Sequence, residues 1–198
     1  MEAIRSFIAI EIPRELQLKL GDLQRELKQA EADIKWVDPE GIHLTLKFLG
    51  SVNQEVLEKI VRVLPPLTSE VEPFSLRIQG LGCFPSNRNP RVLWVGLQQG
   101  VEEVSRLQKE IEKRIEEMMS SSDERTFQPH LTIGRVRSPR RMGPLSRIIE
   151  LQQGVEIGTF TASEVHLIKS DLRPSGPIYT PLRELSLGER NNSREIGR

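Results

Sequence analysis

The pattern of apolar and polar positions along the chain predicts short strands that alternate with amphipathic helices. Residues 5–12 alternate, and one face carries three isoleucines after Ser6, which predicts a strand with one buried side. Leucines then recur at helical spacing over residues 14–30, directly after Pro13. Proline suits the first turn of a helix, so this segment is predicted to be an amphipathic helix with one apolar stripe.

The rest of the chain repeats this succession of strands and helices. Further strands are predicted over residues 42–49, 74–81, 92–97, 130–136, 164–170 and 178–185. Further helices are predicted over residues 54–64, 101–118 and 143–151, the first of them capped by Asn53 and ended by Pro65 and Pro66. Strands that are linked through helices favour an α+β or an α/β arrangement.

A short internal repeat organises this pattern. His43-Leu44-Thr45-Leu46 recurs as His130-Leu131-Thr132-Ile133, and a long helix is predicted before each copy. Two copies are too few for a solenoid, so we expect two similar lobes that each contribute one strand to a shared groove. We treat residues 1–187 as a single domain built from these lobes. Residues 188–198 are polar and charged, and we predict that this tail is disordered.

Composition narrows the classes of function. The chain has 198 residues, of which 37% are hydrophobic and 28% charged, as in an ordinary globular protein. Its formal net charge is zero. Proteins that coat long stretches of nucleic acid need a broad basic surface, so the balanced charge argues against that class. It leaves room for recognition of one terminal phosphate, for which a few local donors suffice.

The sequence offers few ligands for a metal ion and no sign of a membrane or secreted protein. Cys83 is the one cysteine and there are three histidines, so we predict neither a thiolate zinc cluster nor a histidine-rich cage, and expect no metal and no cofactor. The first residues lack the apolar stretch of a signal peptide. No apolar run reaches the length of about 18 residues that a membrane span needs. We expect a cytoplasmic protein.

The two His-x-Thr segments carry the candidate chemistry. Side chains alternate between the faces of a strand, so His43 shares a face with Thr45, and His130 shares a face with Thr132. Side by side, the two strands would place two imidazoles and two hydroxyls in one cavity. Imidazole gives or takes a proton near neutral pH, so one ring can protonate a leaving oxygen while the other takes a proton from water. Threonine hydroxyls can hold phosphate oxygens. The arrangement predicts phosphodiester chemistry without a metal.

A single His-x-Thr match is a weak signal, and a structural alternative exists. Histidines on strands can be packed core residues, and the β-branched threonine favours strands for its own reasons. The two matches together use two of only three histidines, which favours the catalytic interpretation.

Flanking segments extend the match beyond the two motifs. They are Arg5-Ser6-Phe7-Ile8-Ala9-Ile10, Trp36-Val37-Asp38-Pro39-Glu40, Lys47-Phe48-Leu49-Gly50, Gly134-Arg135 and Gly176-Pro177-Ile178-Tyr179. With them the chain resembles the two-histidine phosphoesterase superfamily, and within it the RNA 2',3'-cyclic phosphodiesterases, historically called 2'-5' RNA ligases. The paired motif is diagnostic of the superfamily, and the flanking segments point to this branch. Gly134 stands where alanine is common in the family.

The resemblance implies a bilobal α+β fold, in which two pseudo-symmetric lobes, each with an antiparallel sheet and outer helices, surround a central groove. It implies that His43 protonates the departing 3'-oxygen of an RNA 2',3'-cyclic phosphate and that His130 activates water. The product would carry a 2'-phosphate, and the reverse reaction would join RNA ends through a 2'-5' bond. The expected partner is an RNA with a cyclic phosphate end. No stable protein partner is implied, and we expect a monomer.

Four further residues are candidates for substrate contacts, each with a structural alternative: Arg135, Lys47, Phe7 and Tyr179. Strict alternation turns Arg135 away from His130. Either the strand bulges at Gly134, which would bring the guanidinium back to the groove, or Arg135 forms a structural ion pair. Lys47 falls on the predicted face of His43, where it could approach a phosphate or be solvated. The same alternation puts Phe48 on the opposite, buried face.

Two aromatic residues and a third histidine complete the candidates. Phe7 could stack on a ribose or base if its face lines the groove, or it belongs to the core or the rim. Tyr179 could close one end of the groove, with packing as the alternative. His166 has no hydroxyl two residues along, and we expect it not to be catalytic. The stretch 135–141 contains four arginines, which could steer RNA or form a solvated loop.

Two other classes of function stay open. The groove could bind RNA ends without turnover, although binding alone would not need two proton-transfer groups. The protein could also act on a small nucleotide, such as a cyclic ADP-ribose phosphate or a 2'-5' oligoadenylate. The width of the groove and the loop Pro85–Pro90 would decide between an RNA end and a small nucleotide.

Overall fold

The computed structural model describes residues 3–86, 89–119, 126–174 and 176–188, so nearly all of the predicted tail lies outside the described residues. These ranges form the helices α1 (Arg14–Lys28), α2 (Gln54–Ser69), α3 (Val101–Met119) and α4 (Met142–Leu151). Their strands are β1 (Ile4–Glu11), β2 (Ile34–Trp36), β3 (His43–Val52), β4 (Phe74–Phe84), β5 (Val92–Gln99), β6 (His130–Val136), β7 (Glu156–Ala162), β8 (Glu164–Arg173) and β9 (Gly176–Ser186). Within these ranges no helix has the length and apolar content needed to cross a membrane.

Every predicted element is present, and two strands, β2 and β7, are additional. β2 has only three residues, which is too short for a periodic pattern. In β7 the pairing with β4 shifts by one residue around Gly158, whose φ is +147°. A bulge of this kind breaks the alternation by which a strand is recognised in a sequence. The missed strands are thus those whose apolar pattern is short or interrupted.

Helix α2 contradicts the predicted stop at Pro65 and Pro66. It continues through both prolines and ends at Ser69. In this last part, the hydroxyls of Thr68 and Ser69 donate to the carbonyls of the two prolines at 3.2 and 2.9 Å. The buried stripe of the helix runs on from Leu64 to Thr68. Packing of that stripe outweighs the two backbone donors that proline removes.

The described strands form one curled antiparallel sheet whose middle is the pair β3 and β6. The order is β7-β4-β5-β6-β3-β1-β8-β9, and β2 attaches to β6. We call β3-β1-β8-β9 the first half and β6-β5-β4-β7 the second half. In the described residues the halves meet through one ladder pair, Leu44 with Leu131, the second residues of the two motifs. The predicted α+β class with two related lobes is confirmed.

Each half of the sheet contains a strand from the other part of the chain. β4 follows the first His-x-Thr strand but pairs with β5 in the second half, and β8 pairs with β1 in the first half. Helices cross over in the same way, since α1 packs on β7 and α4, whereas α3 packs on β3 and α2. One apolar core joins these helices to both halves of the sheet. The other, concave face carries a small separate cluster around Phe7.

Candidate active site

The register between β3 and β6 brings the two His-x-Thr segments together on the concave face. The ladder pair at the junction puts His43 across from Thr132. It puts Thr45 across from His130 in the same way. The four half-buried side chains form a rectangle, with the histidines on one diagonal and the threonines on the other. Diagonal positions on paired strands are roughly 7–8 Å apart, so two imidazoles so placed can flank a single phosphorus atom.

Both imidazoles are held by the same backbone contact. Nδ1 of His43 lies 2.8 Å from the carbonyl oxygen of Gly41, and Nδ1 of His130 lies 2.6 Å from that of Gln128. In both cases the carbonyl belongs to the residue two positions earlier. Because a carbonyl oxygen only accepts hydrogen bonds, Nδ1 carries the proton of the neutral ring. Nε2 is then the atom left with a lone pair for proton transfer.

Aromatic rings enclose His43. Phe7 stacks on the imidazole, with ring centroids 4.5 Å apart and planes inclined by 21°. Tyr179 meets the same imidazole edge-on, at a centroid distance of 5.3 Å. Burial lowers the pKa of His43 from 6.5 to about 4, although the hydrogen bond to Gly41 acts in the opposite direction. The ring is therefore neutral at pH 7 in the free protein.

The position of Phe7 settles its two sequence-based alternatives. Its side chain is only 3% exposed, and it packs with Ala9, Ile168 and Tyr179 in the small cluster of the concave face. A ring so covered has no free face for a ribose or base, so the predicted stacking on substrate is wrong. Phe7 instead packs beneath rings that border the groove, those of His43, Phe48 and Tyr179.

His130 has different neighbours. Phe84 meets its ring edge-on at a centroid distance of 5.0 Å, and Trp94 lies at 6.4 Å. Burial lowers the pKa of His130, the hydrogen bond to Gln128 raises it, and the positive charge of Arg135 lowers it further, with a net decrease. The two histidines thus share a backbone contact but differ in their rings and in the cation beside them.

Trp94 is a site neighbour that the sequence analysis missed. Its indole lies against two glycines, because a Cβ added at Gly82 would come within 2.4 Å of the ring and one at Gly96 within 3.2 Å. Phe84 covers the indole at a centroid distance of 5.1 Å with an inclination of 36°. The sequence did contain a signal for this packing, namely two glycines in neighbouring strands near one tryptophan. Glycine inside a strand often marks a place where another group lies close against the backbone.

Two irregularities in β3 decide which of its side chains face the groove. Relative to β1, the strand contains an extra residue at Leu46 and another at Leu49. Lys47 is therefore turned to the helix side, where it is 8% exposed and forms an ion pair with Glu112 of α3. The prediction that Lys47 shares the face of His43 is wrong, and so is its solvated alternative.

The same irregularities turn Phe48 toward the groove. Its ring lies 6.1 Å from that of Phe7, on the side of His43, and the side chain is 56% exposed. Strict alternation placed Phe48 in the core, and that expectation is also wrong. The bulges arise from pairing between strands, which no single strand's pattern reveals.

β6 contains a bulge of the kind that the sequence analysis gave as one of two alternatives for Arg135, the one that brings its side chain to the groove. Relative to β5 the strand has an extra residue at Ile133, next to Gly134. The charge of Arg135 acts on both His130 and Tyr179, so its guanidinium lies on the groove side. Among the described residues it has no ion-pair partner. The geometry thus favours the bulge over a structural ion pair.

Tyr179 and Arg5 lie at the His43 end of the groove. Tyr179 packs edge-on against Phe7 at 5.3 Å as well as against His43. Burial raises the pKa of Tyr179, while the charges of Arg135 and Arg5 act to lower it. Arg5 precedes Phe7 by two residues on the same face of β1 and is exposed. The sequence analysis did not single out Arg5, because an arginine at the start of a strand has no special signal.

The third histidine and most of the basic stretch lie outside the rectangle. His166 is buried on β8, with Nε2 3.6 Å from the carboxylate of Glu164. Its Nδ1 has no hydrogen-bond partner among the described residues. In the basic stretch Arg141 forms an ion pair with Glu31, which ties that end of the stretch to the loop after α1. Among the residues that the structure describes, no three metal-ligating side chains group together. The absence of a metal requirement stays a prediction.

A two-histidine site at the junction of two repeated units defines a class of phosphoesterase. The family model described as LigT like phosphoesterase matches the chain twice, over residues 10–94 and 95–179. The chain belongs to this family, and the resemblance found in the sequence is confirmed. Each match contains one His-x-Thr segment, so the internal repeat is the repeat of the family.

Among individual proteins, the chain is similar to several RNA 2',3'-cyclic phosphodiesterases. The one from Methanothermobacter thermautotrophicus is 39% identical, over 93% of this chain and 99% of that protein. The one from Methanocaldococcus jannaschii is 34% identical, over 91% of this chain and 99% of that protein. The crystal structure of TT0787 of Thermus thermophilus superposes with a TM-score of 0.79 at 28% identity, over 93% of this chain and 98% of that chain. The apo form of E. coli LigT shares the fold, with a TM-score of 0.76 at 24% identity, over 96% of this chain and 100% of that chain.

Proposed function

We propose that this protein hydrolyses the 2',3'-cyclic phosphate ends of RNA to 2'-phosphate ends. In this proposal His43 is the general acid, His130 is the general base, and the hydroxyls of Thr45 and Thr132 hold the phosphate oxygens. The observation that carries the proposal is the rectangle at the junction of β3 and β6, in which the histidine diagonal crosses the threonine diagonal.

The crossed diagonals suit an in-line displacement at phosphorus. Nε2 of His130 takes a proton from water, and the water oxygen forms a bond to phosphorus. On the opposite side the bond from phosphorus to the 3'-oxygen breaks, and that oxygen takes the proton from Nε2 of His43. The product has a 2'-phosphate and a 3'-hydroxyl. His130 then carries the extra proton, and exchange with water restores the starting state.

The two threonines act on the charge that builds up during this step. The non-bridging phosphate oxygens lie off the line between the attacking and leaving oxygens, toward the other diagonal. Hydroxyls of Thr45 and Thr132 can donate to them there, which stabilises the transition state more than the substrate as negative charge grows.

The surroundings of the two histidines support the division of roles. The positive charge of Arg135 disfavours a second proton on His130, which suits a base. Because the pKa of His43 is about 4 in the free protein, the acid must gain its proton with the substrate in place. A bound anionic phosphate raises the pKa of a neighbouring imidazole and so supplies this coupling.

Support for RNA as the substrate comes from the relatives and from charge. Relatives that match over nearly their whole length are named as RNA 2',3'-cyclic phosphodiesterases. The net charge of zero fits recognition of an end rather than of a long strand. Binding without turnover is disfavoured, because both Nε2 atoms are oriented by matching contacts. Hydrolysis of a small cyclic nucleotide is the second candidate.

The cytoplasmic location and the monomeric state stay predictions.

The test is to incubate chelator-treated protein with an oligoribonucleotide that ends in a 2',3'-cyclic phosphate and to follow the end by ³¹P NMR. We expect a 2'-phosphomonoester. A 3'-phosphomonoester would reverse the leaving oxygen and the roles of the two histidines. Loss of activity on chelation, restored by a divalent ion, would overturn the mechanism. Turnover of mononucleotides alone would favour the second candidate.

A further inference from the structure

Gln24 is a buried polar side chain that the proposed mechanism does not use. It lies on the face of α1 that carries the buried leucines, and it is only 2% exposed. An amide that is removed from water costs free energy unless it is hydrogen-bonded, so a glutamine at such a position needs partners inside the protein. Its partners lie next to the second His-x-Thr segment.

The amide of Gln24 donates hydrogen bonds to the backbone at two strands. Its Nε2 lies 2.7 Å from the carbonyl oxygen of Val37, directly after β2, and 2.8 Å from that of Ile133 in β6. The Ile133 carbonyl also accepts from the backbone N–H of Val37, at 3.0 Å. Because the amide nitrogen carries two hydrogens, it can serve both carbonyls. Gln24 thus ties the end of β2 to β6.

Ile133 is the residue at which β6 bulges, since the strand has one extra residue there relative to β5. Its side chain is fully buried in the main apolar core. A Cβ added at Gly134 would also point to that core, because it would lie 2.8 Å from the side chain of Ile34 and 3.2 Å from the ring of Trp36. Two successive residues of β6 therefore face the helices, and the next one, Arg135, returns to the groove.

The bulge depends on partners for its backbone. The extra residue of a bulge is left out of the regular ladder, so its polar groups need hydrogen bonds from elsewhere. For the carbonyl of Ile133, Gln24 supplies the side-chain donor. If that donor is removed, the carbonyl of Val37 loses the same partner, and the bulge is held less firmly. The direction of Arg135 is then held less firmly as well, because the bulge is what turns this side chain to the groove.

We propose that Gln24 is a positioning residue, which holds the bulge in β6 and thereby keeps the guanidinium of Arg135 in the groove. Gln24 lies on the helix side of the sheet, so it acts through the backbone of β6 and not on the substrate. This inference rests on the proposed function, because it gives Arg135 a part in the reaction at His130.

The test is a double-mutant cycle of Gln24→Met and Arg135→Gln in the intact protein, with an oligoribonucleotide that ends in a 2',3'-cyclic phosphate. We expect each single variant to lower kcat/KM by ~10- to 100-fold, as displacement of a group by about 1 Å does. The double variant should be no slower than Arg135→Gln alone. Effects that multiply in the double variant would show that Gln24 does not act through Arg135, and would overturn the proposal.

Gln108→Met is the matched control. Gln108 is also a buried glutamine on a core helix, but its amide donates to the carboxylate of Glu112 at 2.8 Å and not to a strand. The variant should leave kcat/KM per folded molecule unchanged. A loss equal to that in Gln24→Met would mean that any buried glutamine has this effect, against a specific role of Gln24.

A second measurement does not depend on turnover. The charge of Arg135 lowers the pKa of His130, so NMR titration of that imidazole follows the position of the guanidinium. The pKa of His130 should rise in Arg135→Gln and in Gln24→Met, and Gln24→Met should raise it no further once Arg135 is replaced. If Gln24→Met lowers the stability of the protein but leaves this titration in place, its role is merely structural and the proposal is overturned.

Two further outcomes are provided for. If Gln24→Met does not fold, Gln24→Asn takes its place in the cycle, because its shorter amide keeps a donor but cannot span both carbonyls. If the wild-type protein does not cleave the substrate, the hydrolysis is refuted, and the titration of His130 still decides whether Gln24 positions Arg135.

Discussion

Phe7 and His43 lie face to face on neighbouring strands, with ring centroids 4.5 Å apart and planes inclined by 21°. The stacking holds the plane of the imidazole close to parallel with the phenyl ring. The hydrogen bond from Nδ1 to the carbonyl oxygen of Gly41 fixes which edge of the imidazole is left for proton transfer. The stacking also keeps water from one face of the imidazole, which contributes to the low pKa of His43. One apolar residue thereby controls both the geometry and the protonation of the histidine.

Replacing Phe7 by leucine should loosen both kinds of control. We expect the pKa of His43 to rise from about 4 toward 6.5, because water gains access to the imidazole. We expect kcat to fall by ~10- to 100-fold, because a misplaced catalytic group loses its effective concentration. NMR titration of the imidazole Cε1 proton measures the first effect. Phe84→Leu is the cross-control, since it should disturb His130 and leave the titration of His43 in place; an unchanged His43 titration in Phe7→Leu would refute the argument.

The pH dependence of kcat/KM should have its maximum on the acidic side of neutrality. The reaction needs one protonated and one neutral imidazole, and the pKa values of both free histidines lie below the ordinary 6.5. Raising the pH above both values depletes the protonated partner, so kcat/KM should fall through neutral pH. The maximum of kcat/KM should lie between the pKa values of the two histidines. The profile of kcat should be displaced to higher pH, because the bound phosphate raises the pKa values of both histidines. A flat kcat/KM profile from pH 5 to 8 would contradict this.

Removal of either imidazole should have a large and similar effect. We expect His43→Ala and His130→Ala each to lower turnover by ~10² to 10⁴-fold, the usual range for a lost proton-transfer group. Neither imidazole belongs to the main apolar core, so thermal unfolding should change little. His166→Ala is the comparison: this buried histidine lies outside the rectangle, so the variant should lose stability but keep its kcat per folded molecule. A catalytic loss in His166→Ala equal to the other two would point to a structural origin of all three.

The pair of Lys47 and Glu112 predicts a stability effect without a catalytic one. The side chains are 9% and 18% exposed, so truncating one leaves a largely buried charge without its partner. We expect Lys47→Met to lower the free energy of unfolding by about 3 kcal/mol. The double variant Lys47→Met/Glu112→Leu should recover most of it. Denaturant titration measures both, and a fall in kcat at saturating substrate for the double variant would return Lys47 to the list of substrate contacts.

The sequence predicted the features that follow from the alternation of side chains within a single strand. His43 and Thr45 share a face, as do His130 and Thr132, because alternation holds at the start of each strand. Beyond Thr45 it fails, because the extra residues in β3 are defined only against β1. The contacts to Nδ1 could not be foreseen either. They come from backbone carbonyls, and the residues that carry them, a glycine and a glutamine, have no side-chain feature in common.

The exchange of β4 and β8 between the halves means that neither family unit can complete its own half of the sheet. A chain cut between β4 and β5 would give one fragment in which β4 lacks its partner β5 and another in which β8 lacks its partner β1. Such fragments could regain the groove only by associating.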